Sequence, residues 1–306
     1  MKKSLVAFGA MAAATVATLF TMRQYRLWQE EEIERLEAGS HVVKTPLGLV
    51  EYSVLGEGPT VLIAHGSPGG YDQSMAIARF LNDSRFSFIC MSRPGYLRTP
   101  LATGQTPEEQ ADMYAALLNT LGIQRAAITG ISGGGSSALQ FALRHPDRCN
   151  GLIMLSALAQ HYSEDEVNQL LPLPTRLLKM LNDRLLLFNP FVFVLVKLSE
   201  AMPQVIAPDF VHSLAMSNLR LTGYDNDMEQ FGKITGYPLE RVGVPTLALH
   251  GTADIDLPIA HAEQVEAKVP GARLIRAEGG GHLFFGNEAY SDMALTAMRE
   301  FLESLA

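Results

Sequence analysis

The sequence predicts an α/β fold: a mostly parallel central sheet covered by helices on both faces, with an inserted helical cap and an N-terminal hydrophobic helix. Three observations carry this reading. Continuous apolar runs recur along the chain: TVLIAHG (60–66), FSFICMS (86–92), RAAIT (125–129), GLIMLSAL (151–158), PTLALHG (245–251) and ARLIRA (272–277). Runs without polar alternation are what strands buried on both faces look like. Segments of helical spacing separate most of them, as right-handed crossovers between parallel strands require. Finally, clusters of glycine, proline and serine stand immediately after several of the runs, where a strand must turn into the next element.

The bulk numbers fit a globular chain. It has 306 residues, 47% apolar and 18% charged, enough for one large domain with an insertion. Its net charge of −8 gives no electrostatic reason to expect a nucleic-acid partner. Cys90 and Cys149 both sit in apolar runs and read as buried free thiols rather than a disulfide or metal site.

Residues 1–40 stand apart. SLVAFGAMAAATVATLFTM, residues 4–22, carries no charge and approaches the length of a membrane-spanning helix. A cleaved signal peptide is the rival, with Ala12-Ala13-Ala14 as a small-residue cleavage site, but the apolar run continues past it to Met22 and favours an uncleaved anchor. Lys2 and Lys3 are balanced by Arg23 and Arg26, so orientation is not readable. RQYRLWQEEEIERLEAG then reads as a charged helical spacer outside the fold.

From residue 41 the elements come in order. HVVKT and LVEYSVL are strands split by the turn signal PLG. DQSMAIARFLN has helical spacing. TPEEQADMYAALLNTLG opens with Thr106 as N-cap, Pro107 at the first helical position and Glu109 completing a capping box. Its residues Ala111, Tyr114, Leu118 and Leu121 mark one apolar face. The final helix is YSDMALTAMREFLESL. Residues 159–243 break the rhythm, rich in Leu, Phe, Met and Pro without a strand–helix unit, and read as a helical cap between core segments 41–158 and 244–306. Within it TRLLKMLNDRLLLFNPFVFVLVKLSEAMP (175–203), with LLLFNPFVFVLVKL (185–198) at its centre, is apolar nearly all round, and a helix of that kind needs cover from protein or lipid.

Ligands of parallel α/β sheets bind at the carboxyl ends of the strands, which directs attention to the residues just after each run. There stand His65-Gly66-Ser67-Pro68-Gly69-Gly70, then Ser132, then His250 with Asp254, then GGGH ending in His282. A hydroxyl, a carboxylate and an imidazole thus reach one edge in the chain order Ser, Asp, His. Gly130-Ile131-Ser132-Gly133-Gly134 matches G-x-S-x-G, in which a tight strand-to-helix turn pushes the serine clear of its backbone and small residues flank it two positions away. The next helix aims its free N–H groups at the same place.

With HGSPGG, SRPGY (92–96), GISGGG, HGTADIDLP (250–258) and GGGH, the chain resembles a serine member of the α/β-hydrolase fold superfamily over about residues 45–158 and 244–305. The resemblance implies Ser132 as nucleophile, His282 as base and Asp254 as the acid that orients it. It also implies the N–H groups of Gly133 and Ser67 as oxyanion-hole donors, with Gly130 and Gly134 as structural elbow residues. Asp256 and Glu278 compete with Asp254 for the acid's place. Ser136 and Ser137 read as helix packing, His65 and His250 as loop braces, His145 and His261 as helix residues, and His161 and His212 as incidental. No metal or cofactor is implied, and no cluster of Cys, His and carboxylates has ligand spacing.

The expected substrate is a small-molecule carboxylic ester. Serine at position 132 excludes the carboxylate nucleophile of dehalogenases and epoxide hydrolases of this fold, and Gly133 stands where cofactor-free haloperoxidases carry Met. Prolyl aminopeptidases share the HG-x-PGG loop but have a tryptophan after the serine, and the one tryptophan here is Trp28. An apolar cap suits an acyl chain or other lipophilic ester, and an N-terminal anchor would bring membrane lipids within reach. Amide or lactone cleavage, and a catalytically slow ligand-binding member, are the alternatives. A further one makes 185–198 a surface that lies on a membrane.

Overall fold

In the computed structural model, residues 2–203 and 208–305 are described, with side chains from Thr18 onward. Eight strands form one sheet in the order β1-β2-β4-β3-β5-β6-β7-β8. They are β1 (His41–Thr45), β2 (Gly48–Leu55), β3 (Thr60–Ala64), β4 (Ser87–Met91), β5 (Ala126–Ile131), β6 (Cys149–Leu155), β7 (Thr246–Gly251) and β8 (Arg273–Ala277). β1 and β2 pair antiparallel, as does β2 with β4, and every pairing from β4 onward is parallel. All six residues of β5 and all six of β7 are buried, which explains their unbroken apolar sequences.

Helices cover both faces. On one side, α3 (Pro107–Thr120), α4 (Gly134–Arg144) and α10 (Ala260–Lys268) bury Tyr114, Phe141 and Val265 against Leu62, Ile128 and Leu152 of the strands. On the other, α2 (Tyr71–Leu81) and α11 (Glu288–Glu303) bury Ile77 and Met298 against Ile63 and Leu249. The capping box of α3 is formed: Thr106 Oγ1 accepts from Glu109 N–H, and the Glu109 carboxylate accepts from Thr106 N–H at 3.0 Å. Cys90 and Cys149 are buried free thiols, and burial pushes the Cys149 thiol up to about 12.

Between β6 and β7 lie α5 (Glu164–Leu170), α6 (Leu173–Leu186), α7 (Asn189–Ala201), α8 (Pro208–His212) and α9 (Leu221–Lys233). The apolar stretch 185–198 is not one helix, because α6 ends at Leu186 and Pro190 opens the first turn of α7.

The N-terminus differs from expectation. Residues Lys2–Ala38 form a single helix, α1. Among the described residues no helix is long and apolar enough to cross a membrane, which overturns the expected single-pass anchor over residues 4–22. The candidate cleavage site Ala12-Ala13-Ala14 lies among residues 1–17, outside the described side chains. In the described part of α1, Leu19, Phe20 and Met22 are exposed, whereas the later turns pack on the protein through apolar and charged residues alike. Trp28 is 2% exposed and its ring centroid lies 5.3 Å from that of Phe193 on α7. Val192 and Val196 of α7 join Trp28 and Leu36 in one apolar cluster. Glu32 accepts from Arg35 at 2.8 Å and pairs with His212 Nδ1 at 2.6 Å, while Arg35 reaches Asp72 at 3.3 Å. The segment read as a spacer outside the fold is therefore docked on it, and α7 finds its apolar cover there.

Candidate functional site

The site begins with the turn between β5 and α4. Ser132 holds φ at +48°, a left-handed conformation rare for a residue with a side chain. The turn is locked by backbone bonds: Ser132 N–H donates to Leu155 O at 3.2 Å, and Ser132 O accepts from Gly135 N–H at 3.0 Å and Leu158 N–H at 2.9 Å. Both elbow glycines are sterically required. A Cβ on Gly130 would stand 2.7 Å from Ala138 Cβ, and one on Gly134 would collide with the carbonyl oxygens of Ala64 and His65.

Three sequence-predicted side chains meet in one hydrogen-bonded chain. Ser132 Oγ lies 3.0 Å from His282 Nε2, and His282 Nδ1 lies 2.7 Å from Asp254 Oδ2. Asp254 is held in turn: its Oδ1 accepts from the N–H groups of Asp256 and Leu257, both at 2.9 Å, and its Oδ2 lies 3.2 Å from His250 Nε2. Burial alone would raise the Asp254 carboxyl, but hydrogen bonds from His250 and His282 outweigh it and hold it below the usual carboxylate range. Burial would lower His282, and the bond and charge of Asp254 reverse that, so its imidazole titrates above the usual 6.5. The competing acids are engaged elsewhere: Asp256 pairs with Lys179 at 3.2 Å, and Glu278 accepts from Thr252 Oγ1 at 3.3 Å.

The remaining candidates are accounted for. Ser136 Oγ donates to Gly133 O and Ser137 Oγ lies 2.7 Å from Tyr114 OH, both inside α4. His65, fully buried, accepts from Arg93 N–H at Nε2. His250 Nε2 donates to Leu257 O at 2.8 Å. His261 Nδ1 accepts from Ala159 N–H, and burial first of all pushes its imidazole down to about 4. His145 pairs with Asp112 and His161 with Glu166. His212, read as incidental, instead joins α8 to Glu32 of α1.

Ser132 and His282 open into a cavity of about 290 Å³, whose wall includes Gly66, Ser67 and Gly133. Its apolar side comes from Leu186, Phe210, Leu214, Met228, Phe231 and Phe285. Of the stretch 185–198 only Leu186 and Leu187 reach it, so the expected apolar roof is supplied largely by α8, α9 and their surroundings instead. The wall also has polar residues, Tyr162, Glu164, Lys179, Asp183, Tyr224 and Asp256, with Asp183 and Asp256 paired to Lys179. Lys179, 7% exposed, donates to Asp183 at 2.7 Å. Burial pushes the Glu164 carboxyl up.

Sequence reading missed several of these residues. Ser156, at φ +42°, donates from Oγ to His282 O at 2.7 Å and fixes the histidine's backbone; it stands just after β6, where a strand-end rule could have found it. Asp227, 1% exposed, sits on α9 against Arg93 and Tyr96 of the SRPGY turn, and no pattern in the sequence marks it. Asp254, Asp256 and His282 place ligand atoms close enough to hold a cation, but two of the three are already committed to each other by the 2.7 Å bond.

Residues 59–289 match the family described as the alpha/beta hydrolase fold. An uncharacterized hydrolase, YcgS, of Bacillus subtilis (strain 168) is 27% identical over 278 residues, covering 84% of this chain and 96% of its own. A 2-hydroxy-6-oxononadienedioate/2-hydroxy-6-oxononatrienedioate hydrolase of Paraburkholderia phymatum is 26% identical over 235 residues, covering 69% of this chain and 76% of its own. Among solved structures, an alpha/beta hydrolase fold protein from Nakamurella multipartita is 35% identical with a TM-score of 0.69, covering 86% of this chain and 98% of the other. On the fold, the strand-end site and these matches, the chain belongs to the α/β-hydrolase family.

Proposed function

We propose that the protein is a serine hydrolase that cleaves carboxylic esters of small molecules through an acyl-enzyme, with Ser132 as nucleophile, His282 as base and Asp254 as its orienting acid. The observation that carries the reading is the unbroken chain from Ser132 Oγ through the His282 ring to Asp254, at 3.0 and 2.7 Å. His282 Nε2 takes the Ser132 proton as Oγ attacks the acyl carbon, and Asp254 keeps Nδ1 protonated and stabilises the imidazolium. The N–H groups of Gly133 and Ser67 receive the oxyanion, a donor of this kind lowering the barrier by roughly 3 kcal/mol. His282 then returns the proton to the leaving alcohol, and water attacks the acyl-enzyme by the same route.

Residues 159–243 act in this reading as a cap over the core, 41–158 and 244–306, and the cavity composition shapes the substrate. An apolar wall takes one limb of the ester, while the Lys179 side takes a polar one. A dianion such as the relative's named dioate would meet Glu164, Asp183 and Asp256 with Lys179 alone to oppose them. Neutral and cationic esters are therefore favoured over anionic ones, and ester over carbon–carbon cleavage. The test is turnover of p-nitrophenyl esters by the full chain and by Ser132→Ala. Loss of activity in the variant supports the reading, and retention overturns it.

A further inference from the structure

Behind the cavity wall stands a set of buried groups that the reaction itself does not use. Arg93 is fully buried and binds Asp227 of α9 through two nitrogens, Nη1 to Oδ1 at 2.8 Å and Nη2 to Oδ2 at 2.5 Å. Asp227 Oδ2 also accepts from Tyr96 OH at 2.5 Å and from Ser67 Oγ. A carboxylate with so many donors, enclosed in protein and paired in a fork with a guanidinium, is a stiff anchor.

The same groups grip the 65–69 loop by its carbonyls. Arg93 donates to His65 O at 2.9 Å and to Gly66 O at 3.2 Å. His65 Nδ1 lies 2.7 Å from Gly66 O as well, and since Nε2 accepts from Arg93 N–H, Nδ1 carries the proton and donates. Burial and then the charge of Arg93 push His65 well below its ordinary range, so the ring stays neutral in that tautomer. Gln73 donates to Pro68 O at 3.1 Å and Arg220 to Gly69 O at 2.8 Å.

This has a geometric consequence. In a trans peptide the N–H points opposite to the C=O. With Gly66 O drawn toward Arg93 and His65, the N–H of Ser67 in the same peptide unit points away from them. Gly66 and Ser67 line the cavity, whereas Arg93, His65 and Asp227 do not. The side away from the anchors is therefore the cavity side.

We propose that Asp227 is a positioning residue: through Arg93 and the Ser67 hydroxyl it holds the Gly66–Ser67 peptide with its N–H turned into the cavity, where the oxyanion forms. Because Asp227 lies on α9, between β6 and β7, the insertion completes the oxyanion hole as well as covering the pocket. The inference rests on the reading of Ser132 as nucleophile and Ser67 N–H as donor.

The test is steady-state kinetics of the full chain on a p-nitrophenyl ester, with affinities for a trifluoromethyl ketone mimic of the oxyanion and for the free carboxylic acid product. Ser67→Ala keeps the backbone N–H and the Arg93–Asp227 pair but cuts the hydroxyl arm, and Asp227→Asn removes the anchor's charge. The expected result is a 10- to 100-fold fall in kcat with KM within about twofold. Ketone affinity should fall by a similar factor, and product affinity should hold. Should Asp227→Asn fail to fold, Ser67→Ala decides alone. Unchanged kcat and ketone affinity in Ser67→Ala, or a rise in KM with kcat intact, would overturn the inference. Ser132→Ala, measured alongside, keeps the failures apart. If that variant turns over, the nucleophile reading is wrong; if it is dead while the other two keep their kcat, only the positioning role is wrong.

Discussion

Asp254 Oδ2 lies 2.7 Å from His282 Nδ1, inside a loop whose backbone also donates two N–H groups to the same carboxylate. The acid is thereby fixed as an ion, and the imidazole is stabilised in its protonated form. In the proposed mechanism His282 acts as base only when neutral, so activity should be lost as pH falls through its folded-state pKa, which lies above the usual 6.5. Asp254→Asn should move that acid limb to lower pH and cut kcat by about 10⁴-fold, because the ring loses both its charge partner and its tautomer. A pH–rate profile of the two proteins checks this, and coincident limbs would count against it.

Gly130 and Ala138 are in tighter contact than any side chain on residue 130 permits. In Gly130→Ala the new methyl would stand 2.7 Å from Ala138 Cβ and 2.8 Å from Gly135 Cα, so β5 and α4 must separate. Overpacking of this kind costs about 1–3 kcal/mol. Because the strain falls on the turn that carries Ser132, kcat should drop along with the denaturation midpoint. Wild-type kcat in a variant of lowered midpoint would show that the elbow tolerates the shift.

The docking of α1 predicts a stability effect far from the cavity. Trp28→Ala removes a buried ring stacked near Tyr25, at 5.6 Å between centroids, and should cost about 3–5 kcal/mol in denaturant unfolding. The ion pairs beneath it add a pH dependence. Glu32 and Asp72 would both be raised by burial, but His212 and Arg35 for the first, and Arg220 and Arg35 for the second, hold them below their ordinary values. Their contribution is thus complete above the unfolded carboxyl range and lost as pH falls through the lowered folded values. A Trp28→Ala protein with the wild-type midpoint would contradict the docking.

Charge on the substrate should be read by the polar side of the cavity. With the same acyl group, a choline ester and its neutral isostere should exceed an ester of glycolate, whose alcohol portion carries a carboxylate, in kcat/KM by roughly tenfold or more, equivalent to about 1.4 kcal/mol. Glu164→Gln with Asp183→Asn should narrow the gap. Preference for the anionic ester would mean that Lys179 leaves Asp183 to meet the substrate.

The range of each interaction decides how much of the fold and site was legible in the sequence. Strands buried on both faces announce themselves locally, and so do the Thr106–Glu109 capping box and the Gly130-x-Ser132-x-Gly134 turn, because their causes lie within a few residues. Ser132, Asp254 and His282 could be found from their places just beyond the ends of strands, since a parallel sheet delivers those positions to one edge. Asp227 could not be found so. Its partner Arg93 lies 134 positions away, and nothing in YDNDMEQ separates a buried anchor from a solvated helix face. The misreadings of α1 and of 185–198 share one cause. Trp28 and Leu36 of α1 and Val192, Phe193 and Val196 of α7 pack on one another from distant parts of the chain, so a one-dimensional pattern left the first outside the fold and gave the second to the pocket.

The central claim is the role of Ser132, and the most direct measurement is hydrolysis of p-nitrophenyl esters from acetyl to palmitoyl by the full chain beside Ser132→Ala. Turnover is expected in the parent, with a loss of about 10⁶-fold in kcat in the variant. Equal turnover in a correctly folded Ser132→Ala protein would contradict it.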